Sequence, residues 1–181
     1  LALRPSDSAE TSVAWKMALE NTNTPTGLIL SRQGIKDIPA KGGSRYQEAL
    51  AAEKGGYLVK EVENPDVVLI ANGSEVATLI EAAKLLEENE NLKVNIASVI
   101  SEGVFRLQSK EYQDSVIPKN KPLFGLTAGL PVNLEGLVGD KGKVFGLEHF
   151  GYSAPATVLD DKFGFTGDKV SQQVLAYLKT V

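Results

Sequence analysis

One arginine near the start of the chain has the chemistry and position of an anion-binding residue. Arg32 lies in the run Thr26–Gly34, directly after a short apolar segment that predicts a β-strand. Open α/β sheets present side chains to ligands at the carboxyl ends of their strands, and a planar guanidinium donates two parallel hydrogen bonds to a phosphate or a carboxylate. An arginine that merely pairs with an acidic neighbour fits this position equally well. The surrounding chain must distinguish the two interpretations.

Other side chains that could bind or react have simpler explanations. The turn Asn72–Glu75 places amides at a predicted helix start, where an anion can bind. It contains neither G-x-G-x-x-G nor a Walker lysine, and Glu75 would repel phosphate, so Ser74 is predicted to be an ordinary N-cap. His149 has no histidine or cysteine partner for a metal site and is expected to bond to backbone or water. Ser153 lacks the G-x-S-x-G context of a hydrolase nucleophile.

The composition excludes several classes of protein. The chain has 181 residues, 43% hydrophobic and 23% charged, which suits a globular fold of one domain or one domain plus part of another. A net charge of -4 without a basic stripe argues against nucleic acid and membrane partners. Zero cysteines and a single histidine exclude disulfides, zinc-thiolate sites and multi-histidine metal sites within the chain. The absence of cysteine also fits a reducing compartment, and we expect a cytoplasmic protein.

The first part of the chain has the order strand, helix, strand. Leu1–Pro5 predicts the end of a strand. Asp7 and Glu10 then have the spacing of a capping box at a helix start. In this motif Asp7 accepts a hydrogen bond from an amide of the first turn, and Glu10 accepts one from the backbone N–H of the cap residue. A strand at Leu28–Leu30 follows the helix. This order is typical of a parallel α/β layer. The apolar stripe of the helix is predicted to contain Ala9, Val13, Met17 and Ala18, with Trp15 at its margin.

A connector is predicted over residues 34–64. Pro39 and two glycine pairs interrupt its pattern, and only Arg45–Lys54 predicts a short helix. Its positive and negative charges balance, so we expect a solvated linker rather than a docking arm. Tyr57–Val59 is expected to be an edge strand that fastens the linker to the next unit.

A second unit is predicted over residues 65–181. Apolar strand runs alternate in it with amphipathic helices, which predicts a three-layer αβα domain with a mostly parallel, mixed sheet. The expected strands are 66–71, 93–98, 123–127 and 144–147, and the expected helices are 75–88, 103–109, 111–117 and 168–178.

Several short motifs, in order, resemble successive signatures of the transketolase family over essentially the whole chain. They are Arg4-Pro-Ser-Asp-Ser-Ala-Glu-Thr11, Leu30-Ser-Arg-Gln33, Gly55-Gly-Tyr57, Val68-Leu-Ile-Ala-Asn-Gly-Ser-Glu-Val76, Tyr112-Gln-Asp-Ser-Val-Ile-Pro118, and Phe150-Gly-Tyr-Ser-Ala-Pro155 followed by Phe163-Gly-Phe-Thr166. The resemblance implies that residues 1–33 are the end of a thiamine-diphosphate pyrimidine-binding domain, residues 34–64 a linker, and residues 65–181 the transketolase C-terminal domain. The chain starts at Leu1 without an initiator methionine or leader, and we expect it to be part of a longer polypeptide.

The resemblance also implies a function for the intact enzyme. Transketolases of the pentose phosphate pathway use thiamine diphosphate and Mg²⁺ or Ca²⁺ to transfer a two-carbon ketol unit from a phosphorylated ketose to a phosphorylated aldose, generally as homodimers. Arg32 matches the family arginine that grips the sugar phosphate. The metal-diphosphate motif, the glutamate that acts on the aminopyrimidine ring and the channel histidines belong to upstream segments of the family. No catalytic, cofactor-binding or metal-binding residue is therefore assigned here, and the chain alone is expected to bind no cofactor and to be inactive.

Three departures from the family pattern, at Asn72, Ser98–Ser101 and Leu126–Gly129, lie in the C-terminal domain. We therefore favour a structural domain that supports the dimer over a regulatory nucleotide site. Two other functions stay open. One is a related thiamine enzyme, such as dihydroxyacetone synthase or, less compatible with Ser31–Gln33, deoxyxylulose phosphate synthase. The other is a stand-alone flavodoxin-like ligand-binding module.

Overall fold

The computed structural model describes residues 1–181, and its first three elements form a small parallel layer. Strands β1 (Ala2–Leu3) and β2 (Gly27–Leu28) pair in parallel, and helix α1 (Ser8–Glu20) connects them. The predicted order of strand, helix and strand is confirmed. The strand predicted at Leu28–Leu30 is shorter than expected: beyond Leu28 only the amide of Ile29 bonds to Leu3. Its partner β1 ends at Leu3, so the ladder cannot continue, and Ile29 and Leu30 are about half exposed.

Helix α1 begins at the predicted N-cap. Asp7 Oδ1 accepts from the Glu10 amide at 2.8 Å. Glu10 does not return the bond to the Asp7 N–H as predicted: one of its oxygens accepts from the Ser6 amide at 2.8 Å, and the other faces the hydroxyl of Tyr57. The predicted apolar stripe faces the core, since Val13 is fully buried and Ala9 and Met17 pack against it. Ala14, which was not predicted, is also fully buried, and Trp15 at the margin is 53% exposed.

Only part of the connector is solvated: most of residues 34–44 are exposed, whereas residues 45–54 pack against α1. Helix α2 (Arg45–Ala49) continues into a 3₁₀-helix (Leu50–Lys54), which confirms the predicted short helix. Ala49 and Ala52 are completely buried, and Ile38 is nearly so. The balanced charge that suggested a solvated linker was misleading for residues 45–54, because burial here depends on small apolar side chains that the charge count ignores.

The main sheet has five strands, named β3 to β7, in the spatial order β3-β5-β4-β6-β7. The neighbours β5 and β4, β4 and β6, and β6 and β7 run parallel, and β3 lies antiparallel to β5 at one edge. A mostly parallel, mixed sheet and the predicted edge strand are thus confirmed. The strands are β3 (Tyr57–Lys60), β4 (Val67–Ala71), β5 (Val94–Ser98), β6 (Leu123–Leu126) and β7 (Lys143–Phe145).

Helices cover both faces of this sheet. They are α3 (Glu75–Glu90), α4 (Glu102–Arg106), α5 (Lys110–Val116), α6 (Val132–Val138), α7 (Ala156–Phe163) and α8 (Gly167–Leu178). Alternate residues of β4 point to opposite faces: Val67, Leu69 and Ala71 join a core with residues of α3 and α8, while Val68 and Ile70 join a core with residues of α4, α5 and α6. The three layers are therefore as predicted, although α6 and α7 were not. None of the helices has the length and apolar character needed to cross a bilayer.

Candidate functional site

Arg32 lies in an exposed loop that follows β2. Its side chain takes part in none of the ion pairs of the structure. The hydrogen bond inside the loop joins the Ser31 hydroxyl to the Gln33 carbonyl at 3.3 Å. The simpler interpretation of Arg32, an arginine paired with an acidic neighbour, is therefore not what the structure contains, and the guanidinium donors are available to an external anion.

The loop borders a cleft of about 590 Å³ between the two units of the chain. Ser31, Gln33 and Lys36, which flank Arg32 in sequence, line one wall. The opposite wall consists of residues that follow the carboxyl ends of three neighbouring parallel strands, namely Ser74 after β4, Ala128 after β6 and Leu147 after β7. The carboxyl edge of a parallel sheet is where α/β proteins bind ligands. Tyr152, Asp160 and Phe163, from α7 and the segment before it, close one end.

The two cations that line the cleft have carboxylate partners. Arg4 Nη2 lies 2.6 Å from Glu75 Oε2, and Lys36 Nζ lies 3.1 Å from Glu81 Oε1. Burial raises the pKa of Asp160, which is the other acidic residue of the lining. Arg32 itself is not among the residues that line the cleft, although its sequence neighbours Ser31 and Gln33 are.

The turn before α3 contains an internal ion pair. Glu75 is only 5% exposed, and Arg4 bonds both to its carboxylate and, at 2.7 Å, to the Asn72 side-chain oxygen. The Ser74 hydroxyl donates to Glu75 Oε1 at 2.8 Å and makes no capping bond to a helix amide. Ser74 is at the predicted N-cap position, but its backbone is helical (φ -57°, ψ -26°) and not extended, so its side chain forms no cap. A phosphate at this turn would meet the Glu75 carboxylate, which disfavours a nucleotide there.

The remaining sequence candidates do not assemble into a reactive group. His149 is exposed, and its Nδ1 lies 2.8 Å from the Phe150 carbonyl oxygen, as expected for a loop histidine bonded to backbone. Its ring lies 5.1 Å from that of Phe163. Ser153 is exposed on the segment before α7. No group of three or more His, Cys, Asp or Glu side chains in the chain could together hold a metal ion.

A buried polar network, which was not predicted, joins α1, α2 and β3. Asp7 and Glu10 have completely buried side chains, and Arg45 Nε lies 2.7 Å from Asp7 Oδ2 while its Nη2 lies 3.4 Å from Glu10 Oε1. The Tyr57 hydroxyl donates to Glu10 Oε1 at 2.8 Å. Burial, followed by the nearby Glu10 carboxylate, strongly raises the pKa of Tyr57, so the phenol stays protonated. The capping box indicated Asp7 and Glu10, but no pattern in the sequence indicated Arg45 as their counter-ion.

The fold and the cleft together define a class of α/β domain. The chain is a three-layer α/β domain with a ligand-type cleft at the carboxyl edge of its sheet, and a short parallel α/β layer is attached in front of it. The sequence profile described as the transketolase-like TK C-terminal domain matches residues 55–166. The chain therefore belongs to the transketolase C-terminal domain family.

Individual relatives agree with this assignment. A curated transketolase of Staphylococcus aureus (strain MW2) is 38% identical over 178 residues, which cover 96% of this chain and 26% of that protein. The solved transketolase of Leishmania mexicana superposes with a TM-score of 0.87 at 35% identity and covers 99% of this chain. A Pichia stipitis transketolase in complex with sedoheptulose 7-phosphate gives a TM-score of 0.87 at 31% identity over 99% of this chain. The chain spans about a quarter of the length of these relatives.

Proposed function

We propose that this chain is the C-terminal part of a transketolase. The intact enzyme would transfer a two-carbon ketol unit from a phosphorylated ketose to a phosphorylated aldose, and this part would supply the substrate-phosphate residue Arg32. The observation that carries the proposal is an exposed arginine without a carboxylate partner, in a loop whose residues Ser31 and Gln33 line a cleft at the carboxyl edge of the sheet. The relatives named above are transketolases, and one of them was crystallised with a sugar phosphate.

The chemistry of Arg32 suits this role. A guanidinium remains charged at every working pH and can donate two charge-assisted hydrogen bonds to a phosphate. A phosphate held at a distance from the reacting carbon aligns a flexible sugar, so binding energy at one end favours reaction at the other. The exposed position of the loop leaves Arg32 accessible to a substrate or to another part of the intact enzyme.

The intact enzyme is proposed to use thiamine diphosphate with Mg²⁺ or Ca²⁺, which supplies the chemistry that cleaves and forms the carbon–carbon bond. The residues of this chain do not fit the metal and diphosphate, because no cluster of acidic or histidine side chains could hold the ion. We therefore expect the chain by itself to bind no cofactor and to be inactive. Isothermal titration with thiamine diphosphate and Mg²⁺ tests this, and a tight stoichiometric isotherm would contradict it.

The domain formed by residues 65–181 is proposed to have a structural role and to support a homodimer of the intact enzyme. Its most obvious anion position, the turn before α3, is filled by the Arg4 and Glu75 pair, which favours this role over a regulatory nucleotide site. The proposed boundaries at residues 33 and 64 and a cytoplasmic location in the pentose phosphate pathway stay predictions.

Substitution of Arg32 in the full-length enzyme tests the phosphate role. Arg32→Ala removes charged hydrogen bonds of about 1.5–3 kcal/mol in total, so the KM for phosphorylated sugars should rise on the order of ten- to hundredfold. Small unphosphorylated acceptors should be unaffected. Arg106→Ala is a matched control, because Arg106 is also exposed but pairs with Glu102 within α4. An equal loss for both kinds of substrate would exclude a specific phosphate contact.

A further inference from the structure

The loop that carries Arg32 is fixed at both ends to the same small α/β layer. Upstream, the Ile29 amide bonds to the Leu3 carbonyl at 2.8 Å, next to the β1 and β2 pairing. Downstream, Asp37 and Ile38 return to the start of α1. The intervening residues 30–36 form no backbone hydrogen bonds with the rest of the chain. The course of this loop therefore depends on its two anchors.

The downstream anchor is reciprocal. Asp37 Oδ1 accepts from the Ser8 hydroxyl at 2.6 Å and from the Ser8 amide at 3.1 Å. In the other direction, Asp7 Oδ2 accepts from the Ile38 amide at 3.1 Å. Adjacent residues of one segment thus bond to adjacent residues of the other, each through a carboxylate and a backbone N–H.

The start of α1 is a favourable place for the Asp37 carboxylate. The first amides of a helix have no partner within the helix, and its positive dipole end attracts anions. Asp7 satisfies the Glu10 amide and Asp37 satisfies the Ser8 amide. The bond from the Ser8 hydroxyl, followed by that from the Ser8 backbone, lowers the pKa of Asp37, so this carboxylate is ionised at neutral pH.

We propose that Asp37 is a positioning residue that, through Ser8, holds the Arg32 loop in one conformation beside the cleft. The proposal rests on the proposed role of Arg32 for its functional meaning, but the anchoring itself can be tested separately. The other side-chain contact of the loop, between Lys36 and Glu81, cannot replace the anchor. Both of its side chains are largely exposed, and such pairs are weak and screened by salt.

The anchoring can be measured on the chain itself, because it contains no cysteine. Nitroxide labels on an Arg32→Cys, Lys84→Cys double variant report the distance from the loop to α3 by pulsed electron resonance. Adding Asp37→Ala should broaden the distance distribution about twofold, since the downstream end of the loop then keeps only the bond from the Ile38 amide to Asp7. Asp37→Asn retains an acceptor for the Ser8 donors and should restore most of the narrow distribution. Asp114→Ala removes an exposed carboxylate far along the chain, in α5, and should leave the distribution unchanged. A distribution that stays narrow with Asp37→Ala would overturn the proposal.

Kinetics of the full-length enzyme connect the anchor to Arg32. Asp37→Ala should raise the KM for phosphorylated sugars about tenfold while kcat at saturation and the kinetics of unphosphorylated acceptors are kept, because a misplaced guanidinium weakens only the phosphate contact. The Asp37→Asn variant should return the KM toward that of the parent enzyme. If Asp37→Ala broadens the distance distribution while Arg32→Ala leaves the KM for phosphorylated sugars unchanged, the phosphate role of Arg32 fails and the anchoring stands.

Discussion

Asp7 Oδ2 and Arg45 Nε lie 2.7 Å apart in an ion pair whose carboxylate is completely buried and whose guanidinium is 12% exposed. The pair connects the first turn of α1 to α2, which sequence alone placed in a solvated connector. Its members also contact Ile38 and Glu10. Arg45 is therefore the counter-ion of both buried carboxylates at the point where the small front layer meets the connector.

Removal of that cation should destabilise the chain strongly. Arg45→Ala leaves Asp7 and Glu10 buried without a counter-ion, and breaking a buried pair in this way costs about 3–5 kcal/mol. Urea unfolding measures the loss. Lys110→Ala, which breaks an exposed pair with Asp114, should cost no more than about 1 kcal/mol. A similar decrease in the free energy of unfolding for both variants would show that the Asp7 and Arg45 pair stabilises the fold no more than an exposed pair does.

The hydroxyl of Tyr57 should contribute to stability at neutral pH. Tyr57→Phe keeps the ring but removes the donor to Glu10 Oε1, and a buried carboxylate that loses a donor costs about 1–3 kcal/mol. Urea unfolding of the variant should show this decrease. Tyr112→Phe is the control, since the Tyr112 hydroxyl donates to the neutral Gly56 carbonyl and is less buried; its loss should be smaller.

Alkaline pH should also weaken the fold through Tyr57. Burial, and then the Glu10 carboxylate, raises the pKa of Tyr57 above its ordinary value in the folded state. The stabilisation linked to this group is therefore fully present below about pH 10 and declines as the pH rises further, because the unfolded chain releases the proton first. The free energy of unfolding measured from neutral pH to above pH 10 should fall more steeply in the parent chain than in Tyr57→Phe. Equal slopes would show that another group controls the alkaline transition.

Gly55 is expected to tolerate no side chain. Its φ angle is +85°, and an added Cβ would lie 2.6 Å from the Ser101 carbonyl oxygen and would also contact the Phe105 backbone nitrogen. Gly55→Ala should therefore cost at least about 2 kcal/mol, detected as a lower Tm. Gly103→Ala is the matched control, because that glycine lies in α4 with open space around it and alanine favours a helix. A Tm unaffected by Gly55→Ala would contradict the close approach of the 3₁₀-helix end to α4.

The elements that could be predicted from the sequence are those marked by a local pattern of apolar and turn-forming residues. β4 is an uninterrupted apolar run followed by a turn, and all five of its residues are buried, as such a run indicates. The missed helices lack that signal: α7 has no buried residue, and α6 is only seven residues long with Gly136 inside it. α6 buries Leu134, Leu137 and Val138 at helical spacing, but seven residues are too few for this periodicity to distinguish a helix from a loop.

The candidate site was predictable only in part. The position of Arg32 after a strand followed from its neighbours, and the mostly parallel sheet followed from the alternation of strands and helices. The pairing state of Arg32 and the return of Asp37 to Ser8, 29 residues earlier, depend on tertiary geometry that no local pattern contains. The burial of Arg45 could not be predicted for the same reason, since counting charges does not distinguish a buried cation from an exposed one.

The half-exposed Trp15 on the outer side of α1 is an intrinsic fluorescence probe. It is the sole indole in the sequence, so intrinsic fluorescence reports the solvation of the front layer and not that of the five-stranded sheet. A blue shift on adding another polypeptide would mean that water has been displaced from that surface, so association of the chain with a partner can be titrated without any dye.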